Sequence, residues 1–133
     1  MTVVVDTSSM VAVVLGEPDA ERHLAVLVAN AGDVHLSAAS AVELGIVVAA
    51  KQGVEATEDL QRLITLIGVT TVPFDADQAV AAVSAWHRFG RGRHPAGLNL
   101  GDCFSYALAK VSGAALLFKG DDFSATDITS ALG

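Results

Sequence analysis

Thr2-Val3-Val4-Val5-Asp6-Thr7-Ser8-Ser9 carries three consecutive valines and turns abruptly polar. An unbroken apolar run this short is the signature of a strand buried on both faces. Thr7-Ser8 supply cap chemistry for a helix over Ser9–Leu15. The opening is therefore a buried strand that runs straight into a helix, with one acid, Asp6, at the junction.

The same unit recurs along the chain. After a break at Gly16-Glu17-Pro18-Asp19, a helix is predicted over Ala20–Ala29 with Asp19 as its cap, then a strand at Val34–Leu36. Ser37 caps a helix over Ala39–Lys51 that Gly53 ends, and a separate helix follows over Thr57–Ile67. Thr70–Phe74 reads as a third strand. Asp75 caps the helix Ala76–Phe89, and Arg91–Leu98 forms a loop. A helix over Gly101–Val111 leads to a fourth strand at Ala115–Phe118. Asp121–Phe123 is a turn, and Asp127–Ser130 is an edge strand. Short apolar strands alternating with helices predict an α/β fold, a parallel sheet of four to five strands with helices on both faces. The chain, 1–133, is expected to form a single domain.

In such folds the ligand crevice lies at the carboxyl ends of the strands. Four acidic stations fall on that edge: Asp6, Glu43, Asp102 and the pair Asp121-Asp122. Glu43 is flanked at helical spacing by Ala39, Val42, Ile46 and Val47, which points it at an apolar face. Each acid has an ordinary alternative: Asp6 as a helix cap, Glu43 rolled to the boundary of its helix's apolar face, Asp102 at a helix N-terminus favoured by the dipole, and Asp121-Asp122 in a turn. Their convergence on one edge calls for a compensating cation, and so for phosphodiester cleavage. Thr7, Ser8, Ser40 and Asn99 stand beside the acids as supporting donors or local caps. Cys103 is read as a small buried residue.

Composition sets the limits. The chain is 52% hydrophobic and 5% aromatic, above the usual apolar share of about 45–50%. That surplus predicts burial against partners. One cysteine excludes an intrachain disulfide, and no apolar run reaches the length of a membrane span. Without a basic leader at the start, a cytoplasmic location is expected. A net charge of −7 argues against a passive nucleic-acid coat. Arg91 and Arg93, grouped with Arg88, His87 and His94, and Lys119 after the fourth strand are the candidate contacts to a phosphate chain, which the resemblance given below implies is RNA.

Val5-Asp6-Thr7-Ser8, the helical Glu43, Asn99-Leu100-Gly101-Asp102-Cys103 and Leu116-Leu117-Phe118-Lys119-Gly120-Asp121-Asp122-Phe123 together resemble a PIN domain. The resemblance is closest to the VapC toxins of type II toxin–antitoxin systems, and it spans essentially the whole chain. It implies a PIN-like three-layer fold and a bacterial endoribonuclease dependent on Mg²⁺, with Mn²⁺ able to substitute. It also implies a homodimer and a cognate antitoxin that places a basic side chain among the carboxylates, in a heterotetramer or larger assembly. Asp6 and Asp102 match the family's principal metal ligands, and Glu43 its third acid. Many members carry Thr-x-Asp after the last strand, where an ungapped match puts Gly120. Asp122, or Asp121 beside it, must then serve as fourth acid. Met10, Val14, Leu24 and Leu27 are expected to wall the antitoxin groove. Two other readings stand beside this one. A phospho-acceptor receiver domain would explain a late lysine, but the middle strands offer no acceptor aspartate. A non-catalytic module of the same fold would not need all four acids.

Overall fold

A computed structural model describes the whole chain, Met1–Gly133. Its elements are β1 (Val3–Val5), α1 (Thr7–Val14), α2 (Ala20–Ala29), β2 (Val34–Ser37), α3 (Ala38–Ile67), β3 (Thr70–Val72), α4 (Ala76–Phe89), α5 (Leu100–Ser112) and β4 (Ala115–Leu117). The four strands form one parallel sheet in the order β3-β2-β1-β4. Val3 and Val4 pair with Val34 and His35 on one side, and Val3–Val5 with Ala115–Leu117 on the other.

The alternation of side chains across the sheet builds three layers. Val3, Val5 and Leu117 pack with Met10, Leu27, Leu44 and Leu60 from α1, α2 and α3. Val4 and Leu116, one residue out of step, pack on the opposite face with Leu98, Tyr106, Leu108 and Phe123. All three β1 valines are buried. Burying each contributes about 1.5–3 kcal/mol, and a one-residue slip of β1 would reverse both faces at once.

The chain order of the strands reverses beside β1, since β2 and β3 lie to one side and β4 to the other. The carboxyl ends of β1 and β4 therefore flank a topological switch point, where a crevice forms naturally.

Several boundaries depart from expectation, each for a local reason. Asp6 rather than Thr7 or Ser8 caps α1, because its carboxylate accepts from Ser8 N at 3.0 Å. The helix therefore starts at Thr7. Asp19 makes no cap bond to α2, its carboxylate being held by other partners. The two helices expected on either side of Gly53 run as one element, α3, through a kink at Gly53 (φ 70°, ψ −151°). Glycine alone tolerates that backbone without strain, so the break is real but the helix resumes at once. The expected edge strand at Asp127–Ser130 reduces to a single parallel bridge between Leu116 and Ser130. The sheet thus has four strands.

Candidate functional site

Asp6 leaves the end of β1 already buried, only 4% exposed. Hydroxyls hold both of its carboxylate oxygens. Ser105 Oγ donates to Oδ1 at 2.5 Å, and Ser8 donates to Oδ2 from Oγ at 2.6 Å. Ser8 Oγ also accepts from Lys119 N at 3.0 Å, which ties the ends of β1 and β4 together. Ser105 Oγ lies 3.3 Å from Ser40 Oγ, and Ser40 sits one turn before Glu43 on α3. Thr7 Oγ1 reaches Ser40 O at 3.4 Å. A buried line of hydroxyls thus connects β1, α3 and α5, the three elements that carry Asp6, Glu43 and Asp102. Burying these groups is tolerable because each has a partner.

Asp102 is the N3 residue of α5 in a reciprocal cap. Asn99 Oδ1 accepts from Asp102 N at 2.8 Å, and Asp102 Oδ2 accepts from Asn99 N at 3.1 Å. Asn99 is therefore a local cap that also fixes an acid. Burial pushes the Asp102 carboxyl up to about 7, and the negative charges of Asp6 and Asp122 add to the shift. The Asn99 amide pulls the other way. Carboxyl groups gathered in one cleft favour a retained proton or a cation.

Glu43 lies against the first turn of α5. A Cβ on Gly101 would collide with its carboxylate, so a glycine there is what lets the acid in. The apolar face expected around Glu43 is only partly covered: Val47 is half-buried against the core, Val42 and Ile46 are each 64% exposed, and Glu43 sits at the boundary. Its side chain lines the cleft beside Val47, with its carboxylate against Gly101.

A cleft of about 380 Å³ opens where these residues meet. Asp6, Thr7, Ser8, Glu17, Glu43, Lys51, Asn99, Asp102, Lys119 and Asp122 line it. The structure brings together Asp6, Glu43, Asp102 and Asp122, and it leaves Asp121 outside that lining. Arg91 and Arg93 are also outside it. Arg93 stacks over the Trp86 ring at 4.5 Å, beside an apolar cleft between α4 and α5. Lys119 lines the acidic cleft, but its ammonium lies 3.0 Å from Glu17 and 3.1 Å from Asp19. Met10 and Leu27, expected on a partner groove, are fully buried core residues. Of that set Leu24 is exposed and Val14 half-buried.

Three participants escaped the sequence reading. Ser105 stands three residues after Asp102, on the same helical face, and that spacing was the available signal. Lys51 follows Glu43 and Val47 at four-residue steps along the face that lines the cleft. Gly101 beside Asp102 reads as an ordinary helix-start glycine until Glu43 is placed against it.

As they stand, no three His, Cys, Asp or Glu side chains are arranged to hold a metal ion. A hard divalent cation nonetheless fits the residues. Every available donor is an oxygen, the charges of Asp6 and Asp122 bear on Asp102 within one cleft, and Mg²⁺ needs only one or two protein carboxylates because it keeps its waters.

Comparison with known proteins agrees with this architecture. The family model described as PIN domain matches residues 3–128. The chain is 49% identical over 127 residues to Ribonuclease VapC of Mycolicibacterium smegmatis, covering 96% of this chain and 98% of that protein. Among solved structures it superposes on VapC20 of Mycobacterium tuberculosis, described as a Sarcin-Ricin loop cleaving toxin. That match has a TM-score of 0.78 and 18% identity, over 96% of this chain and 97% of the other. A toxin–antitoxin complex from Klebsiella pneumoniae gives 0.68 at 18% identity, over 95% and 93% of the two chains.

Proposed function

This chain belongs to the PIN domain family, among the VapC ribonucleases, and on that premise we propose that it is a toxin that cleaves RNA with a divalent cation at the acidic cleft. One observation carries the reading. Four acids, from the β1–α1 junction, α3, α5 and the turn after β4, line a single cleft, and the Asp102 carboxyl is pushed up to about 7 by burial and by its acidic neighbours.

Asp6 and Asp102 would hold the cation, with Asp122 completing the set. Bound there, Mg²⁺ or Mn²⁺ would supply charge neutralisation and Lewis acidity at the scissile phosphate. Ser8 and Ser105 fix the plane of the Asp6 carboxylate, and Asn99 fixes Asp102. Glu43 accepts the proton of the attacking water as the new P–O bond forms and the old one breaks. Arg91 and Arg93 meet the RNA away from the cleft, while Lys119 braces the site through Glu17 and Asp19.

No helix is long and apolar enough to cross a membrane. We assign the exposed apolar side chains, among them Val42, Ile46, Val83 and Leu100, to contacts with a second copy and with an antitoxin.

The test is cleavage of single-stranded RNA with and without Mg²⁺. Asp6→Asn should lower cleavage by at least ~10²-fold while the melting temperature holds. Asp122→Asn should lower it too, and Asp121→Asn should not. Unchanged cleavage by purified Asp6→Asn protein would overturn the reading. A loss through Asp121 alone would reassign the fourth acid.

A further inference from the structure

Two cations line the acidic cleft, Lys51 and Lys119. Their situations differ. The Lys119 ammonium bridges Glu17 and Asp19, and these two carboxylates raise its affinity for its proton. Lys51 takes part in none of the seven ion pairs of the molecule. It lies on α3 two turns beyond Glu43, with Val47 between them, and all three side chains line the cleft. The kink at Gly53 follows within two residues, so Lys51 sits in the last turn of the straight first half of α3. A cation there is favoured by the helix dipole, and it stays solvated and free to take a new partner.

The chain carries a net charge of −7. A polyanion entering a cleft lined by Asp6, Glu17, Glu43, Asp102 and Asp122 meets repulsion on nearly every side. The unpaired ammonium among those carboxylates is the group able to receive a backbone phosphate next to the one being cleaved. We propose that Lys51 is the phosphate-binding residue of the cleft, contacting the RNA strand beside the scissile bond on the Glu43 side. This rests on the ribonuclease reading above.

The test uses the full chain with Glu43→Gln as background, so that RNA is bound in Mg²⁺ without turnover. Binding of a short single-stranded RNA is followed by fluorescence anisotropy over a range of monovalent salt, at constant Mg²⁺. Lys51→Ala should weaken binding several-fold at low salt and reduce the slope of log K against log salt by about 0.7, the share of one phosphate on a single strand. Lys51→Arg should restore the slope. Arg62→Ala, which removes the same charge from an exposed pair with Asp59, should leave the slope unchanged. Thermal melts of each variant show that the fold is intact. A Lys51→Ala slope equal to that of Arg62→Ala overturns the assignment while leaving the ribonuclease reading in place. If the parent protein binds no RNA, or if wild type cleaves none with Mg²⁺, the ribonuclease reading fails and the role of Lys51 fails with it.

Discussion

At the scale of single residues, the site is built from close approaches that only small groups allow. Gly101 is the sharpest case. Its missing side chain is the space in which the Glu43 carboxylate rests. Alanine is the better helix former by about 0.8–1 kcal/mol, so Gly101→Ala should leave the melting temperature equal or higher. The same methyl must push Glu43 away from the cleft. Misplacement by about 1 Å can lower a rate ~10²-fold, so cleavage should fall by about 10- to 100-fold in a protein no less stable. Wild-type cleavage by Gly101→Ala would show that Glu43 has no positional role. The sequence displayed the acids but not what holds them. Asp6 and Asp102 were legible because an acid at a strand end or helix start is visible in one dimension. Ser105 was not, because its spacing from Asp102 marks only a shared helix face, while its partner Asp6 lies 99 positions away.

At the scale of elements, β1 and β4 could be read as unbroken apolar runs, while β2 and β3, Val34-His35-Leu36-Ser37 and Thr70-Thr71-Val72, could be read from β-branched residues between helix stops and caps. The helices could be read because caps and glycines punctuate them. What could not be read was where a helix goes after a break. Gly53 adopts the positive φ its sequence context suggests, yet α3 continues beyond it. Glu43 was read as facing an apolar layer, whereas Val42 and Ile46 point outward. Apolar spacing marks a face without saying whether the core or a partner covers it. The turn between α1 and α2 shows a similar limit. Glu17 and Asp19 look like loop acids, but both reach Lys119 at the end of β4. Asp19 Oδ2 also lies 3.5 Å from His23 Nε2, and His23 Nδ1 is 2.8 Å from Ser9 Oγ. This network fastens α1 and α2 to the strand beside the cleft. Lys119→Met keeps the aliphatic stem and removes the charge. It should lower the melting temperature at low ionic strength, and the deficit should shrink in high salt as screening weakens the wild-type pairs. An unchanged melting temperature at low salt would mean that the clamp contributes nothing to stability.

At the scale of the whole molecule, the concentration of acids at one edge makes stability depend on pH and on cations together. Burial, reinforced by Asp6 and Asp122, raises the Asp102 carboxyl to about 7 in the folded protein, against an ordinary value of 3.8. The folded state therefore holds a proton there that the unfolded chain has already released. The corresponding stability is fully present below about pH 4 and is lost as pH rises through about 7. His23 acts in the opposite sense. Burial depresses its imidazole, with Asp19 partly offsetting the effect, so its contribution is present above about 6.5 and lost as pH falls. Melting temperature against pH alone would mix the two. The shift produced by Mg²⁺ separates them, because the cation competes with the Asp102 proton and not with His23. At pH 5 Asp102 carries its proton, and Mg²⁺ should raise the melting temperature little. The shift should grow through about pH 7 and level off above it, as ligand binding to the folded state alone requires. In Asp102→Asn the growth with pH should disappear while the His23 dependence persists. A shift of equal size at pH 5 and pH 8 in wild type would mean that the cation does not take the place of that proton, and Asp102 would lose its role as a ligand.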